Sequence, residues 1–119
     1  MKTTNKHYKI FVKECKKWQK KLGLTNYQAY YDHDEMEDGV LARVVYCPLA
    51  NYAYEITLNK TWLREPTTKL LKTSAFHEVC HMLLHRLKVC GESRYITESE
   101  IDEAEHEIVR RLENLMFEE

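Results

Sequence analysis

The sequence predicts a single α+β domain, and three observations support this prediction. An amphipathic helical pattern begins the chain, three short runs typical of strands follow, and two further helical patterns complete it. The 119 residues suit one domain, and a hydrophobic share of 44% with 31% charged residues is ordinary for a soluble globular protein. We therefore expect three helices around a small three-stranded sheet.

The first helix is predicted over residues 5–22. Its apolar residues recur at helical spacing, and lysines occupy most of the other positions. The apolar set is Ile10, Phe11, Cys15, Trp18 and Leu22. Gly23 follows directly and marks the end of the helix.

The first two strands are predicted from aromatic and β-branched residues. Asn26–Asp34 is rich in aromatic residues, and the acidic segment Asp34–Gly39 is its turn. Val40–Cys47 is rich in β-branched residues, and Pro48 ends it.

The third strand is predicted over Asn51–Leu58, where apolar and polar residues alternate. One face carries Tyr52, Tyr54, Ile56 and Leu58. Since only a short link separates this run from the preceding one, the two are predicted to form a hairpin.

Two helices complete the chain. Pro66 opens a long helix that reaches about Val89, and Gly91 follows its end. Thr97 begins the final helix, and Glu100 three residues later completes a capping-box pattern.

The long helix contains the motif that bears most directly on function, His77-Glu78-Val79-Cys80-His81, which matches H-E-x-x-H. Histidines four residues apart lie about 40° from each other around a helix, so both imidazoles can reach one metal ion. Glu78 lies beside them and can accept a proton from water. Zinc is the ion that this pattern favours, because it acidifies bound water and polarises a carbonyl group.

The rest of the long helix supports a metal site. Its other positions are apolar nearly all round, which predicts a buried helix. The exception is a polar stripe of Ser74, His77, Glu78, His81 and His85. Buried ionisable groups are costly unless they are paired or bind a metal, so a metal explains the stripe better than hydrogen-bonded core histidines do.

A catalytic zinc usually has three protein ligands, so one more is required. The metzincin pattern is excluded, because Leu84 and Leu87 stand where its glycine and third histidine belong. The SprT type fits poorly, because no histidine lies between His85 and His106. A glutamate from the final helix remains.

Helical periodicity selects Glu105 as the third ligand. The apolar face of the last helix is formed by Ile101, Ala104, Ile108, Val109, Leu112, Leu115 and Met116. Glu105 falls within this arc, whereas Glu103 falls on the opposite side and is the next choice. His85 and His106 are less favoured as ligands, and His106 can instead orient a ligand.

These residues resemble small phage-type zinc metallopeptidases with a gluzincin-like arrangement and, more distantly, ImmA/IrrE-like peptidases. The resemblance rests on residues 77–84, on Glu103-Ala104-Glu105-His106 and on residues 108–113, and it spans roughly residues 27–117. It implies a minimal zincin fold that hydrolyses peptide bonds. It also implies His77, His81 and Glu105 as zinc ligands, with Glu78 as general base. The chain departs from the ImmA/IrrE pattern after the acid pair, where it has His106-Glu107.

The expected partner is a peptide or protein substrate, bound in extended form along Asn51–Leu58 as an edge strand. A net charge of −1 gives no general attraction to nucleic acid or to anionic membranes. No apolar run of signal-peptide or transmembrane type is present, so cytoplasmic location is expected, in the host cytoplasm for a phage protein. Two alternatives stay open: a zinc-stabilised interaction module and a metal-free binding domain.

Overall fold

The computed structural model describes residues 1–47, 53–93 and 95–117. In these residues the chain forms three helices and a small three-stranded sheet, which confirms the predicted α+β class and the order of elements. The elements are α1 (Asn5–Lys21), β1 (Gln28–Asp34), β2 (Ala42–Tyr46), β3 (Ala53–Asn59), α2 (Thr68–Glu92) and α3 (Glu98–Phe117).

The sheet is mixed and has the order β1-β3-β2. β1 is parallel to β3, and β2 is antiparallel to β3 with Val44 opposite Ile56. The predicted pairing of the second and third strands is therefore confirmed, although Pro48, Asn51 and Tyr52 lie outside the described residues. The prediction that the third strand is an edge strand is wrong. β3 is central, because β1 pairs with its far side, and β1 and β2 are the two edge strands.

The core lies between the sheet and the helices α1 and α2. Phe11 and Cys15 of α1 are fully buried, as are Ile56 of β3 and Ala75 and Val79 of α2. This burial follows from the amphipathic pattern of α1, whose lysines stay in solvent. Gly23 ends α1 in the left-handed region at φ 69°, a conformation that glycine adopts at no steric cost.

The ends of α2 differ from the prediction. Thr67 caps its N-terminus by accepting a hydrogen bond from the Leu70 N–H at 3.2 Å, so Pro66 stands just outside the helix. At the other end α2 continues through Gly91 to Glu92. Gly91 does not adopt the positive φ of a helix-ending glycine, so the helix continues through it.

α2 is buried on one side only, which corrects the prediction of a helix buried all round. Phe76, Leu84 and Val89 are exposed. The sheet and α1 cover the side that carries Leu71, Ala75 and Val79, while the remaining surface borders a cleft and solvent. Among the described residues, no helix combines the length and apolarity needed to cross a membrane.

α3 also presents less of its apolar face to the protein than its sequence predicts. Ala104 is buried and Ile108 and Leu115 are partly buried. The remaining members of the predicted face, Ile101, Val109, Leu112 and Met116, are exposed. α3 packs mainly against α2, and a single neighbouring helix covers only a narrow strip.

Asn59 holds the loop that leads into β2. It is fully buried at the end of β3, and its Oδ1 accepts hydrogen bonds from the N–H groups of Met36 and Thr61, both at 3.1 Å. Its Nδ2 donates to the carbonyl oxygens of Glu37 and Val40 at 3.2 and 2.6 Å. All four bonding positions of the amide are used, so this side chain fixes where the edge strand begins.

Candidate metal site and cleft

The two motif histidines are close together. His77 and His81 lie one turn apart on α2, and their Nε2 atoms are 3.2 Å apart. Two imidazole ligands of a tetrahedral zinc ion at 2.0–2.1 Å would be about 3.3–3.4 Å apart. Burial lowers the pKa of His81, and the nearby His77 and Lys88 lower it further. The imidazole is therefore neutral near pH 7, which is the form that binds metals.

Glu78 completes the cluster. One carboxylate oxygen and the two imidazole nitrogens all lie within 4.8 Å of one another. The residue is only 6% exposed. Burial raises the pKa of Glu78 to about 7, although the backbone amide of Val44 and the guanidinium of Arg43 both act to lower it. A carboxyl group with a pKa near 7 can both accept and release a proton at neutral pH.

The edge strand β2 forms one wall beside this cluster. Leu41 accepts a backbone hydrogen bond from Asn59, and Cys47 donates one to Ala53, so these odd-numbered residues bond toward β3. Hydrogen bonding alternates along an antiparallel pair of strands. The backbone N–H and C=O groups of Ala42, Val44 and Tyr46 therefore point away from β3. The outward edge therefore faces α2, where Glu78 meets the amide of Val44.

An open cleft runs between β2 and α2. It has a volume of about 470 Å³ and contains the whole His77-Glu78-His81 cluster. A second cavity of about 310 Å³ adjoins it and shares Ala42, His77 and Glu78. Val40, Leu41 and Leu70 give the second cavity an apolar lining. The cluster thus lies at the junction of two cavities along the same edge strand.

His85, the last histidine of the predicted stripe, lies in the larger cavity. Its Nδ1 is 3.0 Å from the hydroxyl oxygen of Tyr54, and its ring lies 4.3 Å from the ring of Tyr46, centroid to centroid. Burial lowers the pKa of His85, Lys88 lowers it further, and Glu92 partly opposes them. His85 is not part of the group of ligand atoms formed by His77, Glu78 and His81.

The structure does not bring Glu105 into the cluster. The geometric reason for choosing it was that it lies on the buried face of α3, and this was wrong, because its side chain is exposed. Glu103 forms an exposed ion pair with Arg86 of α2 at 3.4 Å. His106 is also exposed, and its Nδ1 is 2.9 Å from the Asp102 carbonyl oxygen. The position of α3 depends on which strip α2 covers, and helical periodicity alone does not specify that strip.

Several cleft residues were not found from the sequence. Arg43, Val44 and Tyr46 come from the edge strand, and their role depends on β2 lying next to α2. Tyr54 was expected on a strand face but not as a partner of His85. The available signal was the clustering of tyrosines on the two hairpin strands opposite a histidine-bearing helix.

Comparison with known proteins identifies no relative. No family model matches the chain, and neither characterised proteins nor solved structures include a match. The functional assignment therefore depends on the geometry and chemistry of the cleft.

Proposed function

We propose that the protein is a zinc-dependent peptidase whose active site is the His77-Glu78-His81 cluster. The observation that carries the proposal is the 3.2 Å separation of two imidazole nitrogens beside a buried carboxyl group, in an open cleft. Two imidazole nitrogens at this spacing fit a tetrahedral ion. A structural zinc site has no use for a glutamate that is buried beside it with a pKa near 7.

His77 and His81 would hold the ion. Zinc bound there supplies a Lewis acid that lowers the pKa of water toward neutrality and polarises the scissile carbonyl. A third protein ligand is also needed for a catalytic site. Glu105 and Glu103, the candidates from the sequence, are both on α3 and outside the cluster in the described arrangement.

Glu78 is the general base in this proposal. It accepts a proton from the attacking water and then transfers that proton to the amine that leaves, so the carboxylate is restored at the end of each cycle. The amide of Val44 opposes the effect of burial and helps to hold the carboxyl group in the cleft. Proton transfer by such a group contributes about 10²–10⁴-fold to rate.

The substrate is an extended peptide that pairs with the outer edge of β2. The outward peptide groups of Ala42 and Tyr46 flank Val44, and an added strand can bond to them. β2 takes the role that the sequence assigned to the third strand. The four cysteines are free thiols, which supports action in the cytoplasm, where thiols stay reduced.

The first test is metal binding. We expect about one zinc per chain after purification without chelators, measured by elemental analysis. Free zinc at a hundredfold excess over its dissociation constant should raise the free energy of unfolding by about 2.7 kcal/mol. A protein that contains no zinc and gains no thermal stability from added zinc would refute the proposal.

The second test separates catalysis from structure. Glu78→Gln should keep the fold and the zinc but lower cleavage of an unbiased peptide library by about 10²–10⁴-fold. Glu107→Gln is the matched control, since Glu107 is a half-buried glutamate that pairs with Arg111 on α3. Loss of zinc or of folded structure in Glu78→Gln would make Glu78 a structural residue. Equal cleavage by wild type and Glu78→Gln would also contradict the proposed base.

A further inference from the structure

The cleft between β2 and α2 contains a second arrangement of side chains, which the proposed reaction does not use. His85 lies between Tyr46 of β2 and Tyr54 of β3, touching the ring of one and the hydroxyl of the other. Tyr54 is 3% exposed, so its position is fixed by the core. Contacts with two strands hold the imidazole in one orientation. The inference that follows rests on the proposed function, because it concerns how the same cleft binds its substrate.

The contact with Tyr54 determines what the imidazole offers to a ligand. The Tyr54 hydroxyl oxygen lies 3.0 Å from Nδ1 of His85, and the phenol, as the stronger acid of the two, is the expected donor. The ring proton then resides on Nε2. In the described part of the chain, every fully buried side-chain nitrogen or oxygen has a hydrogen-bond partner. If Nε2 of His85 has no such partner, it is therefore accessible to solvent. His85 therefore presents an N–H donor to the cleft.

The spacing of the cleft places this donor along a bound strand. Two residues of strand separate Val44, which meets Glu78, from Tyr46, which meets His85, a rise of about 6.7 Å. A peptide paired with β2 therefore passes Glu78 at Val44 and then His85 at Tyr46, two residues later.

We propose that His85 anchors the substrate by donating a hydrogen bond from Nε2 to a carbonyl oxygen two residues from the scissile bond, and that Tyr54 sets its tautomer. Tyr46 limits rotation of the ring by packing against it. His85 is in this view a substrate-binding residue and not a metal ligand, in agreement with its absence from the compact group of ligand atoms.

Hydroxamates test the anchoring role without a known substrate. Acetohydroxamic acid offers the zinc-loaded protein only a chelating group. Two tripeptidyl hydroxamates carry the same chelating group with a peptide attached, and the peptide runs in one chain direction in the first compound and in the opposite direction in the second. His85→Ala should retain its zinc and bind acetohydroxamic acid as wild type does. It should bind one of the two peptidyl compounds about 3–10-fold more weakly, as measured by calorimetry.

Each of the other possible outcomes leads to a different conclusion. Unchanged affinity for both peptidyl compounds would overturn the anchoring role while leaving the peptidase proposal intact. Loss of zinc from His85→Ala would make His85 a ligand and also overturn it. A wild-type protein that binds neither zinc nor acetohydroxamic acid would refute the proposed function, and the anchoring role with it.

Tyr54→Phe provides a second variant that removes a single oxygen atom, with Tyr30→Phe on the exposed face of β1 as its matched control. Long-range ¹H–¹⁵N NMR on the metal-free protein should show His85 protonated on Nε2 in wild type and in Tyr30→Phe. In Tyr54→Phe the ring should show both tautomers, and the affected hydroxamate should bind about 2–5-fold more weakly. A wild-type ring protonated on Nδ1 would overturn the donor role.

Discussion

Glu78 on α2 and Glu107 on α3 are both withdrawn from solvent, yet their surroundings have opposite effects. Burial raises the pKa of Glu78 to about 7, and Val44 and Arg43 offset only part of this effect. Burial also acts to raise the pKa of Glu107, but hydrogen bonds from Arg111 and Arg86 outweigh it and lower the pKa below its usual value. One carboxyl group is left able to exchange protons, and the other is fixed as an ion.

The difference distinguishes a carboxyl group that holds two helices together from one that the proposed reaction uses. Arg86 of α2 and Arg111 of α3 both contact Glu107, and the Arg86 contact joins α3 to α2, so this glutamate serves as a tether. Arg43, whose charge acts to lower the pKa of Glu78, is itself paired with Glu37 and compensates Glu78 only in part. A carboxyl group without full compensation destabilises the fold, and the proposed role as general base would explain why it is present.

The largest expected effect is on metal binding. His81→Ala removes one of the two imidazoles that converge on the same point. Mutation of a residue that only hydrogen-bonds to a metal ligand lowers metal affinity by up to roughly 100-fold, so loss of a ligand should lower zinc affinity by more than this. Glu107→Gln should leave zinc affinity unchanged. Titration with a competing chelator measures both. Similar losses in the two variants would mean that the metal binds through the tether on α3.

The next effect concerns stability without metal. The folded-state pKa of Glu78 is about 7 against 4.5 for an unperturbed glutamate, so the folded protein binds more protons between these values. The free energy of unfolding should therefore fall as pH rises through this window. Glu78→Gln should be more stable than wild type at pH 8, by on the order of 2 kcal/mol, and equal to it at pH 4. Urea unfolding of metal-free protein at both pH values provides the check, and a variant less stable at pH 8 contradicts it.

Glu107→Gln should have the opposite effect. Because the folded-state pKa of Glu107 is lowered, its contribution is present above pH 4.5 and is lost as pH falls through the folded-state value. The ion pairs are partly exposed, so the variant should lose about 1 kcal/mol at pH 7 and almost nothing at pH 3. The same unfolding series tests this. A loss that persists at pH 3 would assign the effect to packing of α3 rather than to charge.

The smallest effects are expected at the exposed glutamates of α3. Glu105→Gln should change zinc affinity by less than about threefold and stability by less than about 0.5 kcal/mol, because its side chain lies in solvent. Glu103→Gln is its control and should lose only the exposed contact with Arg86. A tenfold or larger loss of zinc affinity in Glu105→Gln alone would show that α3 turns toward the site when the metal binds.

The sequence by itself determined the features that depend on neighbours along the chain. The helical pattern of α1 and its end at Gly23 were predicted because periodicity and glycine conformation are local. The convergence of His77 and His81 was predicted for the same reason, since a four-residue spacing fixes the relative direction of two side chains in any helix. The α+β class followed from the order of such local patterns.

Only the tertiary structure decided what lies opposite these elements. It placed β3 in the centre of the sheet and β2 at its edge, because β1 pairs with β3 across a crossover that no local pattern specifies. It turned Glu105 toward solvent, because α2 covers only part of the apolar face of α3. It also raised the pKa of Glu78 and brought Tyr54 to His85. Burial and pairing depend on residues distant in sequence, and helical spacing constrains only residues within one element.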